Sequence, residues 1–252
     1  MNESVSYQPV ENKKRGETII NFFGEHVLLP ALDYLSNKVE GFEITTEGLE
    51  NLNVMKDRPC LVVSNHLKPT SALAGNSQLS PDAFVLQHVI EQNIGTNPKI
   101  VAKAGTGWWF KNTFLRAIQE KTMPVIKKTM SAAGMIPVDK NPGAVNIEFF
   151  REVEKSIAQG DSLIIFPEGH WYSDFESSHS LSDGAALLAI KYGLTLIPAY
   201  IRGADKWEKG TPVSVSFGEP FLANNEKGAD SRHQTTEKIR SAISRLQSKF
   251  VK

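Results

Sequence analysis

The chain contains one cysteine, Cys60, which excludes an internal disulfide and fits a reducing compartment. It contains no run of about 18 uninterrupted apolar residues, so no spanning helix is expected. The opening residues lack the apolar core and small-residue cleavage site of a secretory leader. A soluble or peripheral protein is the expectation. Charge of one sign is also absent: 28 Lys and Arg balance 28 Asp and Glu, so no net field draws nucleic acid. No Gly-x-Ser-x-Gly elbow occurs, which excludes the common α/β serine hydrolase arrangement. Gly105-Thr106-Gly107 is too short a glycine motif to mark a nucleotide site.

The 252 residues, 40% of them hydrophobic, suffice for one large core. Residues 1–40 divide into a polar tail and an amphipathic helical segment, in which Ile19, Ile20, Phe23, Val27, Leu28, Ala31, Leu32 and Leu35 recur at helical spacing. That face suits either core packing or a membrane interface. Residues 41–252 read as the main domain. Strand patterns fall at Phe42–Thr46, Cys60–Ser64, Lys99–Ala102, Met135–Val138, Ser162–Phe166, Leu194–Ile201 and Val213–Phe217. Helical patterns fall at Asp82–Gln92, Phe110–Met130, Ala144–Ala158, Gly184–Tyr192 and Gln234–Phe250. This alternation predicts a single α/β domain with a mixed, largely parallel sheet flanked by helices.

Sheets of that kind gather ligands where strands end in loops at their carboxyl ends. Two such ends carry chemistry. Val62-Val63-Ser64-Asn65-His66 ends in a histidine, and Ile164-Ile165-Phe166-Pro167-Glu168-Gly169 ends in a carboxylate turn. Met135-Ile136-Pro137-Val138-Asp139-Lys140 and Leu196-Ile197-Pro198-Ala199-Tyr200 complete an ordered series, closed by Val215-Ser216-Phe217-Gly218-Glu219-Pro220. From about Phe42 to Pro220, this series resembles the glycerolipid acyltransferases that include 1-acylglycerol-3-phosphate acyltransferase.

The resemblance implies a glycerol-3-phosphate acyltransferase-like fold. It also implies transfer of a fatty acyl group from acyl-CoA or acyl carrier protein to a lipid hydroxyl, with no further cofactor. His66 would take the hydroxyl proton, a task suited to a group titrating near neutrality. The family's Asp follows the His by five residues, where this chain has Ser71. Asp82 stands before a similar helix, across a polar insertion from Thr70 to Leu79. Two readings of Asp82 remain open, partner of His66 and helix cap, and one side chain can be both. Glu168 with Gly169 would help hold the acceptor, and Lys140, Lys103 and Arg202 would supply positive charge for a phosphate.

The block after Pro-Glu-Gly also departs from the family. Where phosphate-using relatives carry Thr-Arg-Ser, this chain has His170-Trp171-Tyr172, so a bidentate phosphate donor is missing and a non-phosphorylated acceptor becomes a real alternative. A second alternative is a lipid-binding relative without catalysis. A third, a metal-dependent hydrolase built on His170, His179 and nearby carboxylates, competes with a plain solvated loop. Trp108, Trp109 and Phe110, with Lys111 and Arg116 nearby, suit either a lipid headgroup layer or the core. The expected location is cytoplasmic, peripheral on the inner face of a membrane, with no nucleic-acid partner.

Overall fold

The computed structural model describes residues 37–70, 80–104, 127–139, 147–176, 178–223 and 229–250, together with residues 34, 123 and 124. Within them an eight-stranded sheet carries helices on both faces. The strands are β1 (Glu43–Glu47), β2 (Cys60–Ser64), β3 (Lys99–Ala104), β4 (Met135–Asp139), β5 (Leu163–Ile165), β6 (Thr195–Arg202), β7 (Pro212–Phe217) and β8 (Phe221–Leu222). The helices are α1 (Pro81–Ile94), α2 (Ile147–Ala158), α3 (Gly184–Tyr192) and α4 (Ala229–Ser248). The sheet order is β1-β7-β6-β2-β5-β3-β4, with β8 also on β6.

The neighbours from β6 through β4 all pair in parallel. β7 and β8 run antiparallel to the same edge of β6, and β1 lies parallel to β7. The mixed, largely parallel sheet expected from the sequence is the one observed. The seven strand patterns all became strands. β8 was not foreseen, and neither was the 3₁₀ stretch Leu49–Lys56.

β2 shows why these strands read as apolar runs rather than alternating ones. Every residue of Cys60-Leu61-Val62-Val63-Ser64 is buried, because both faces of the sheet are covered. Successive side chains point to opposite faces. Cys60 and Val62 join a core with α1 residues Phe84, Val85, Val89 and Ile90, while Leu61 and Val63 join one with Val153 of α2, Leu188 of α3 and Ile243 of α4. Burying each such aliphatic side chain contributes about 1.5–3 kcal/mol.

The parallel arrangement sets the carboxyl ends of β2, β3, β4, β5 and β6 at one end of the sheet. Asn65 ties two of them together: its side-chain amide donates to the carbonyl of Ile201 at 2.9 Å and accepts the Ile201 N–H at 2.8 Å. The Asn of the Asn-His pair therefore fixes the strand end from which the histidine departs. Lys140, Trp108, Trp109, Phe110, Lys111, Arg116, most of the expected helix Phe110–Met130 and most of the segment 1–40 lie outside the described residues.

Candidate active site

His66 follows β2 after Asn65, and protein groups hold both of its main-chain polar atoms. Its N–H donates to Glu168 Oε2 at 2.6 Å, and its carbonyl accepts the N–H of Tyr172 at 3.1 Å. The imidazole stacks on Phe166, with centroids 4.2 Å apart and planes 22° from parallel, and Trp171 leans against it at 5.7 Å. Nδ1 lies 2.7 Å from Asp82 Oδ2. An ionised carboxylate only accepts, so Nδ1 carries the proton and Nε2 keeps its lone pair. Among the described residues Nε2 has no hydrogen-bond partner, and the side chain is 19% exposed.

Asp82 is fully buried in the first turn of α1, where the helix dipole favours negative charge. Its Oδ2 also accepts the N–H of Leu67 at 2.8 Å, and Oδ1 accepts that of Ala83 at 2.7 Å. The side chain thus serves both the histidine and the start of its own helix. The feet of the insertion are pinned beside it. Ser80 Oγ donates to the Leu67 carbonyl at 2.9 Å, and Thr70 donates its N–H to the Asp205 carbonyl and its hydroxyl to the Asp205 carboxylate, at 2.8 and 2.7 Å. Asp82 lies sixteen positions beyond His66 along the chain, yet these bonds bring them within hydrogen-bond reach.

Glu168 is held by protein groups on both carboxylate oxygens. It sits in the turn after β5, where Gly169 adopts a φ of 62° that a side chain would resist. The carboxylate is turned inward with only 1% of the side chain exposed. Oε2 holds the His66 main chain, and Oε1 lies 3.2 Å from His179 Nδ1. Burial pushes the Glu168 carboxyl above its ordinary value, against the opposing pull of the His66 N–H and the His179 ring.

The segment from His170 to Asp183 is mostly exposed, as the solvated-loop reading expects, but it is anchored at several points. Phe175 and Leu181 are buried in the sheet's second core, and His179 is 14% exposed, its ring stacked on Tyr172 with centroids 3.6 Å apart. Asp174 accepts from the hydroxyl of buried Tyr200 at 2.8 Å, and Asp183 accepts from Thr236 Oγ1 at 2.7 Å. Burial and that carboxylate both push the Tyr200 phenol upward. Among the described residues no group of three or more His, Cys, Asp or Glu is placed to hold a metal ion. The contact of His179 with Glu168 was missed, since the two lie eleven positions apart in a stretch without a regular period in the sequence. The usable signal was Phe175 and Leu181, apolar residues flanking it inside a polar stretch.

Of the expected cations, Lys140 lies outside the described residues and the other two lie at or next to strand ends. Arg202 ends β6 exposed, donating Nη1 to the Phe250 carbonyl at 3.3 Å. Lys103 is half-buried near the carboxyl end of β3, with β5 between it and β2.

All of His66, Asp82 and Glu168 fall within residues 43–202, which match the sequence profile of the Acyltransferase family. The chain belongs to that family. Among curated acyltransferases it is similar to the chloroplastic 1-acyl-sn-glycerol-3-phosphate acyltransferase of Arabidopsis thaliana, 26% identical over 165 residues. A chloroplastic counterpart in Brassica napus is 25% identical over 165 residues. These alignments take in 66% of this chain but 37% and 39% of the relatives, so the chain spans about two fifths of their length. Among solved acyltransferases, the 1-acyl-sn-glycerophosphate acyltransferase PlsC of Thermotoga maritima shares the fold, with a TM-score of 0.50 and 19% identity over 96% of this chain and 84% of that one.

Proposed function

We propose that this acyltransferase moves a fatty acyl group from acyl-CoA or acyl carrier protein to the hydroxyl of a lysophospholipid or related lipid. The acceptor O–H gives its proton to His66 Nε2 as its oxygen attacks the thioester carbonyl carbon. The tetrahedral intermediate then expels the thiolate, which takes the proton back from the imidazolium. Asp82 stabilises that imidazolium and fixes its tautomer. Glu168 fixes the main chain from which the ring projects. The single observation that carries this reading is the 2.7 Å contact of His66 Nδ1 with Asp82, preserved across the insertion. It also weighs against a lipid-binding relative without catalysis.

The acceptor named here extends to this chain what its relatives' names say of them, and the donor follows from the family resemblance. Work at a membrane surface is part of the proposal; among the described residues no helix is long and apolar enough to cross one. The test is an acceptor panel with labelled palmitoyl-CoA: lysophosphatidate, glycerol 3-phosphate, neutral long-chain alcohols and amino-lipids. His66→Ala should lose about two or more orders of magnitude in turnover. Unchanged turnover in that variant would remove the mechanism.

A second reading, a non-phosphorylated acceptor, is favoured by Trp171. Its ring leans on His66 where the resembled family carries an arginine. Faster acylation of neutral alcohols than of lysophosphatidate would establish that reading.

A further inference from the structure

We infer that His179, steadied by Arg240 of the carboxy-terminal helix, is a positioning residue that sets where the His66 ring stands. The inference rests on His66 being the base. Two separate lines of contact run from the His179 imidazole to the main chain of His66. Along the first, Nδ1 meets Glu168 Oε1 at 3.2 Å, and the other oxygen of that carboxylate accepts the His66 N–H at 2.6 Å. Along the second, the ring stacks on Tyr172 at 3.6 Å, and Tyr172 donates its own N–H to the His66 carbonyl at 3.1 Å. Both the donor and the acceptor of one peptide residue thereby end on a single side chain.

The first line depends on His179 for a physical reason. A buried carboxylate needs partners on both oxygens to stay ionised and in place. With Oε1 unpaired, Glu168 would turn toward another donor or take up a proton, and in either case its hold on the His66 N–H would slacken. Glu168 is faced by the His66 N–H from the end of β2 and by His179 from the loop. His179 is faced in turn by Glu168, by Glu176 with its main-chain N 3.4 Å from Nδ1 and its Oε2 3.6 Å from Nε2, by Tyr172, and by Arg240 from α4.

The loop bearing His179 is tied down from α4. Arg240 Nη1 donates to the His179 carbonyl, Thr236 Oγ1 to Asp183 at 2.7 Å, and Gln247 Nε2 to the Phe175 carbonyl at 2.6 Å. Positions 236, 240 and 247 lie four and seven residues apart, on one face of the helix. α4 begins beyond the residues that match the family, 43–202. The loop is therefore held by an element outside that matched segment. Trp171 against His66 and Tyr172 against His179 stand in the block where a phosphate-binding arginine is missing, so that block builds the wall of the base.

The experiment uses the full chain with palmitoyl-CoA and the best acceptor of the panel, and compares His179→Ala, His179→Asn, Arg240→Met and His66→Ala. His179→Ala should lower kcat by about 10- to 100-fold, the effect of a misplaced catalytic group, with both KM values within about threefold of the parent. His179→Asn, whose amide N–H can stand where Nδ1–H stood, should recover most of that loss. Arg240→Met should lower kcat about three- to tenfold, again at constant KM. In ¹H–¹⁵N spectra the His66 amide proton, shifted downfield by its carboxylate acceptor, should move upfield in His179→Ala and stay in place in His179→Asn.

An unmoved amide signal with unchanged kcat in folded His179→Ala would overturn the inference. So would equal losses in the Ala and Asn variants. If His179→Ala does not fold, Arg240→Met decides alone, and parental kcat with parental amide shift in it overturns the inference. Failure of the base itself is separable. Activity surviving in His66→Ala removes the mechanism above, whereas loss there alongside parental His179 and Arg240 variants removes only the positioning role.

Discussion

Asp82→Asn is the substitution whose outcome the geometry fixes most closely. The carboxylate serves three donors: His66 Nδ1 and Leu67 N on Oδ2, and Ala83 N on Oδ1. An amide of the same shape has one oxygen to offer. Turned toward His66 and Leu67, that oxygen satisfies two donors and leaves only Ala83 N–H facing the amide nitrogen. Turned the other way it satisfies one and strands two. The first orientation should win, so the tautomer survives with Nδ1 protonated, and what disappears is the negative charge. Two unit charges about 4 Å apart interact by about 4 kcal/mol at an effective dielectric near 20. If the amide dipole retains a quarter to half of that, about 2–3 kcal/mol of imidazolium stabilisation is lost, or about 30- to 150-fold in kcat. Stranding Ala83 N–H should lower stability by about 1–3 kcal/mol. The assays are steady-state turnover with labelled palmitoyl-CoA, ring ¹⁵N shifts for the tautomer, and urea denaturation. A kcat within threefold of the parent would refute the pairing as part of the chemistry. A loss near 10⁴-fold with Nδ1 unprotonated would refute the orientation argued here.

Three further outcomes follow from the same coordinates. Glu168 has its folded pKa raised above the ordinary 4.5 by burial, so the folded state binds the extra proton and stability falls as pH rises from there through the folded value. The urea midpoint of the parent minus that of Glu168→Gln should fall as pH rises from 4 to 7, and a rise would contradict the burial argument. Asn65→Ala leaves the Ile201 N–H and carbonyl both unpaired, so denaturation should report a loss of about 2–5 kcal/mol; a loss below 1 kcal/mol would mean water takes both places. Gly203 has a φ of 81°, and a Cβ there would sit 2.2 Å from the Pro212 carbonyl oxygen, so Gly203→Ala should destabilise by at least about 1–3 kcal/mol. Gly203→Asn should fare no better, because the obstruction is the Cβ and not the dihedral; recovery in the Asn variant would show otherwise.

The strands were legible because a sheet covered on both faces leaves apolar runs such as Cys60–Ser64, and the two polar strand ends at His66 and Glu168 stood out against them. The stretch from Leu49 to Lys56 was not read, although Leu49, Leu52 and Met55 recur every third residue, the 3₁₀ period. It falls between the two periods a helix-or-strand reading looks for. Strand order was equally silent, since a crossover leaves no local pattern; nothing near β7 announces that it runs against β6. At the site, the neighbours of a side chain in regular structure could be argued from motif order, as with Asp82 at the head of α1. Glu168's inward turn and its contact with His179 could not, because loop geometry is set by distant donors such as Arg240 and Ser182, whose N–H bonds the Pro167 carbonyl at 2.7 Å.

The pinned feet of the insertion bear on how its length can vary. With Leu67, Thr70 and Ser80 each fastened to neighbouring elements, the distance from imidazole to carboxylate is decoupled from the number of residues between them. In this chain the span can therefore change length without moving the carboxylate from the imidazole, and a pattern with a fixed His-to-Asp interval would not find the pair.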